Sequence, residues 1–90
     1  MEPMLRIHRS ENGGVIFTLI GEMDGETIAE LGTLIDSEAN GRAVLLNLRD
    51  LTLVDEDGVI FLEHCESKGI NLENCPAYVR EWINRQRQGN

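Results

Sequence analysis

Apolar and polar positions alternate along this 90-residue chain in two different periods. Leu5-Arg6-Ile7-His8-Arg9 repeats every second residue, the signature of a half-exposed strand with His8 at the surface. Ser10-Glu11-Asn12-Gly13-Gly14 is a turn, where Asn and Gly tolerate positive φ. Val15–Ile20 follows as a more apolar strand, and the short connection pairs the two as an antiparallel hairpin. After Gly21-Glu22-Met23 the period changes. Asp24 is the candidate N-cap of a helix whose apolar face is Ile28, Leu31, Leu34 and Ile35. Asn40-Gly41 stops it, and Ala43-Val44-Leu45-Leu46-Asn47-Leu48 reads as a strand buried on both faces.

Arg49–Val54 reads as a connection in which Thr52 supports a turn. Asp55 then caps a second helix, with Glu56 and Asp57 in the first turn, where the helix dipole favours negative charge. That helix runs to about Lys68, with Phe61, Leu62 and Cys65 inward and Glu63, Glu66 and Lys68 outward; Gly69 ends it. Ile70-Asn71-Leu72 is a short strand, and Cys75-Pro76 begins a third helix with an inward stripe of Val79, Trp82 and Ile83. The polar segment 84–90 is expected to fray. Trp82 reads first as a core or edge anchor and second as a partner-binding aromatic.

The predicted fold is α/β: one small domain over residues 1–90, with a mixed sheet, an N-terminal antiparallel hairpin, parallel crossovers and about three helices. In such a fold the loops after the second and third strands share one edge of the sheet. Asp24 and Asp55–Asp57 are therefore expected to be neighbours, at the edge where α/β folds place their sites.

Composition narrows the function. Sixteen acidic residues against eight basic ones give a formal charge of −8, which disfavours nucleic acid and anionic lipid. Arg80, Arg85 and Arg87 read as a solvated helix face near the C-terminus. Neither a signal peptide nor a membrane-spanning stretch is visible, so the expected setting is cytoplasmic. There Cys65 and Cys75 are expected to remain free thiols, because with His64 they match no zinc spacing. No phosphate-binding glycine loop and no catalytic triad signature occur, so no cofactor and no catalytic residues are assigned. What remains is the acidic set Asp24, Asp55, Glu56 and Asp57, ending at Gly58. It suits docking to another protein or, as the alternative, a small-ligand or divalent-cation sensor.

Three segments resemble the STAS domain, shared by bacterial anti-sigma-factor antagonists and the cytoplasmic tails of sulfate transporters. Val15–Asp24 is similar to that family's strand ending in Gly-Glu-Leu-Asp, Val44–Leu48 to its apolar strand with Asp or Asn, and Val54–Gly58 to its Asp-Ser-Ser-Gly loop. The resemblance implies a non-enzymatic, regulatory interaction domain that docks an anti-sigma kinase or a related regulator. It aligns Asp55 and Gly58 with the motif's Asp and Gly, and Asp24 with an acidic strand end close to the docking loop. The phosphorylated serine's place holds Glu56 and the second serine's place holds Asp57, neither of which accepts a phosphoryl group from a serine kinase. Two carboxylates there mimic the −1.5 to −2 charge of a phosphoserine, roughly, in a permanent form. Family members continue past the third helix, so a sheet edge covered by a homodimer or by the partner is also expected.

Overall fold

The computed structural model describes residues 5–38 and 40–88. Strands β1 (Leu5–Glu11) and β2 (Val15–Met23), helix α1 (Gly25–Glu38), strand β3 (Val44–Val54), helix α2 (Glu56–Ser67), strand β4 (Asn71–Glu73) and helix α3 (Ala77–Gln88) follow in that order. The sheet order is β1-β2-β3-β4. β1 and β2 form the antiparallel hairpin, and β3 and β4 run parallel to β2 and β3 respectively. The expected α/β class and mixed sheet are therefore present.

All the helices pack over one face of this sheet. α1 packs on β2, α2 on β3 and β4, and α3 on α2. Val15, Phe17 and Leu19 of β2 and Val44, Leu46 and Leu48 of β3 are buried beneath them, with Leu31, Val59, Leu62, Val79 and Ile83 supplying the helical half of the core. Among the described residues no helix layer covers the opposite face. Ile16, Thr18, Leu45 and Asn47 are only half-buried there, and Ile20 and Arg49 are exposed. The Val44–Leu48 segment is thus covered on one face, not on both. Its odd positions, Leu45 and Asn47, are half-buried on that uncovered face between neighbouring strands.

β3 continues six residues beyond Leu48, through the segment expected to be a connection. Two register irregularities explain why its period was hidden. Thr18 pairs with Asn47 and Ile20 with Asp50; Gly21 pairs with Leu51 and Glu22 with Leu53. Each step places one extra residue in β3, and each extra residue flips the side-chain phase. The buried positions accordingly run Leu48, Leu51, Val54, at intervals of three. Thr52 does not serve a turn: its hydroxyl donates to the Gly21 carbonyl at 2.9 Å, across the second irregularity.

α3 is helical through Gln88, so residues 84–88 do not fray; 89–90 lie outside the described residues. The arginines hold this end in place. Arg80 donates to both carboxylate oxygens of Glu66, at 2.8 and 2.9 Å, and Arg87 reaches Glu66 and Glu63. Arg85 pairs with Glu81 one turn away. Glu63 and Glu66 are consequently half-buried rather than solvated, and Arg80 and Arg87 clamp α3 to α2. The hydrogen bonds from Arg80, with its charge beside them, hold the Glu66 carboxyl below the usual carboxylate range. Leu34, counted on the apolar face of α1, is 36% exposed. No helix among the described residues is long and apolar enough to cross a membrane.

Candidate functional site

β2 and β3 end side by side. Met23 and Val54 are register partners, and the Asp55 amide donates to the Met23 carbonyl at 3.4 Å. The next residue of each chain segment is therefore at the same rim, and each starts a helix. Parallel strands with crossovers on one face leave no other arrangement.

Local chemistry shapes both starts. The Thr27 amide donates to Asp24 Oδ1 at 3.0 Å, and the Asp24 amide donates back to Thr27 Oγ1 at 2.9 Å. This is a reciprocal cap of the box type, with Thr where Glu or Gln is usual. Asp55 has extended backbone, and its Oδ1 accepts from the Gly58 amide at 2.8 Å. Both aspartates thus hold a helix in place with one carboxylate oxygen. Asp57 is what links the two starts. A Cβ at Gly25 would lie 3.9 Å from Asp57 Oδ2, so this carboxylate rests against the beginning of α1.

Gly58 does not belong to the presented surface. It is buried, and a Cβ there would stand 2.6 Å from Val54 Cγ1 and 3.2 Å from Met23 Sδ. Its role is to let the first turn of α2 lie directly on the strand ends. The surface itself is Asp55, Glu56 and Asp57, all exposed, with half-buried Asp24 and exposed Glu26 beside them. Neither Glu56 nor Asp57 makes an ion pair or side-chain hydrogen bond among the described residues. Five carboxylates face two helix ends that each supply only about half a positive charge, so the rim stays strongly negative. Leu53 and Ile60, 57% and 46% exposed, flank it on β3 and α2. Sequence periodicity missed both as surface residues. The signal was available at Ile60, which falls between Glu56 and Glu63 on the outer side of the helix.

Burial pushes the Cys65 thiol up to about 11, so it stays protonated and shielded, the opposite of an activated nucleophile. Burial also raises Cys75. Both cysteines are free. Among the described residues no group of three or more His, Cys, Asp or Glu side chains is arranged to hold a metal ion. Two of the rim carboxylates, Asp24 and Asp55, already cap helices. No family model and no curated protein matches this chain.

Proposed function

We propose that this chain is a non-catalytic protein-interaction domain, similar to the bacterial anti-sigma-factor antagonists, whose docking edge is Asp24 with Asp55, Glu56 and Asp57. The observation that supports this reading best is the register of Met23 with Val54. It sets two acidic helix starts at one rim, in the chain order and at the spacing on which the STAS resemblance rests. A partner suited to this edge has a basic surface, with an apolar contact for Leu53 or Ile60. Opposite charge across such an interface governs encounter rate and choice of partner more than raw affinity.

Glu56 and Asp57 make docking constitutive. With carboxylates at both serine positions of the motif, a serine kinase has no hydroxyl to modify between Asp55 and Gly58. The nearby Thr52 hydroxyl is engaged with the Gly21 carbonyl.

Co-purification from the source cells tests the proposal, run in parallel with the wild-type chain and with E56K/D57K. A partner retained by the first, lost by the second and released by salt is the expected result. Identical retention by both would remove the rim as the docking edge. Incubation with a family kinase is expected to leave residues 52–58 without phosphate, and phosphate found there would end the constitutive reading. The cation-sensing alternative predicts a higher melting temperature with Mg²⁺ or Ca²⁺, since a ligand of the folded state alone must stabilise it. We expect no such rise.

A further inference from the structure

The C-terminal halves of α1 and α2 do not close against each other. Between them is a half-open cavity of about 310 Å³, lined by Gly32, Ile35, Asp36, Phe61, His64, Cys65, Lys68 and Ile70. Ile35, Cys65 and Ile70 are buried and, with half-buried Phe61, form an apolar floor; Asp36, His64 and Lys68 are exposed and form the mouth. The volume is at the lower end of small-molecule sites and too small for a nucleotide cofactor.

Gly32 keeps this cavity wide. A glycine inside a helix is a liability that alanine removes. Neither crowding nor backbone conformation accounts for it here: a Cβ at Gly32 would meet Phe61 Cε1 at 3.7 Å, an ordinary contact.

Asp36 on α1 and Lys68 just beyond α2 face the cavity from opposite walls. Both line the same cavity as Cys65 and Ile70 of its floor. Neither enters an ion pair among the described residues, which keeps ammonium and carboxylate more than 4.0 Å apart. A simple anion entering here meets Asp36 and a chain of net charge −8. A simple cation meets Lys68. A neutral zwitterion matches both walls at once.

We propose that this cavity binds a free apolar α-amino acid such as leucine. Its side chain occupies the Ile35–Phe61–Ile70 floor, its carboxylate meets Lys68 and its ammonium meets Asp36. The site is separate from the acidic rim, and its test needs no partner protein.

The test is a ¹⁵N–¹H NMR titration of the full chain with L-leucine, with 4-methylpentanoate and 3-methylbutylamine as single-charge controls. Leucine is expected to shift the amides of Gly32, Asp36, Phe61, Cys65 and Lys68 with a dissociation constant on the order of 1 mM, as befits so small a ligand. Each control is expected to bind at least about tenfold more weakly, as is leucine to K68Q and to D36N; these surface changes leave the fold intact, which the same spectra verify. Absence of shifts, or equal binding of leucine and either control, would overturn the proposal. So would unchanged affinity in both variants.

Discussion

Two clusters of carboxylates sit on α2, and the fold treats them differently. Near its C-terminal end, Glu66 accepts a two-pronged bond from Arg80 and a further contact from Arg87, which also approaches Glu63. At its N-terminal end, Glu56 and Asp57 meet no cation among the described residues, and Asp55 accepts from the backbone it caps. The residue types are the same and the sequence distance is about three turns. The contrast teaches that acidity alone does not mark a functional surface. On this helix the fold neutralises one cluster and leaves the other open. A paired carboxylate ties elements together; an unpaired one keeps its attraction for another molecule.

The comparison breaks most readily at Gly58, which gives the rim its rigid footing. Gly58→Ala forces a methyl against Val54 and Met23. Overpacking typically costs about 1–3 kcal/mol and the gain in helix propensity returns up to about 1 kcal/mol, so we expect a net loss of about 1–2 kcal/mol in urea denaturation. An unchanged midpoint would mean that the start of α2 is free to shift and that the rim is not preorganised.

Asp55→Ala removes a cap and is expected to cost about 1 kcal/mol, with Asp55→Asn retaining most of it. The clamp responds through pH. Glu66→Gln is expected to cost roughly 0.5–1 kcal/mol, the range for partly exposed ion pairs. Because arginine contacts lower the carboxyl's folded pKa, its contribution is complete above the unfolded value of about 4.3 and disappears as pH falls through the lower folded value. Wild type and Glu66→Gln should therefore converge in stability under acid and separate near neutrality. A constant difference across that window would show that packing, not charge, carries the effect.

The smallest stability change is expected where the functional change is largest. Glu56→Gln with Asp57→Asn should shift the midpoint by no more than about 0.5 kcal/mol, because relief of repulsion among the rim carboxylates offsets the lost attraction to the helix N-terminus. The same double change should weaken partner docking. Should it cost as much as Glu66→Gln, the rim carboxylates would belong to the structural class and the contrast would vanish.

Element types and order were legible in the sequence because each rests on local rules. The hairpin follows from Asn12-Gly13-Gly14 between two alternating runs, the helix starts from Asp24 and Asp55, and the end of α2 from Gly69. Cα geometry and backbone hydrogen bonding leave few other states for those residues. The shared rim was legible one level up, since a βαβ unit with parallel strands delivers its helix starts to one edge.

Where pairing at a distance decides, local rules fail. The second half of β3 escaped because two extra residues break the period of two, and only the partner strand Thr18–Met23 defines them as extra. The half-burial of Glu66 goes with contacts from two arginines of α3, Arg80 and Arg87, which lie 14 and 21 residues further along the chain. Gly58 reads as part of an acidic loop until the strand ends beneath it leave no room for a methyl. Sequence by itself determined the type and order of the elements and which residues carry charge, because propensity, capping and periodicity act over a few residues. Tertiary structure alone decided which charges are neutralised and which glycine is buried, because both depend on what another part of the chain places within a few ångströms.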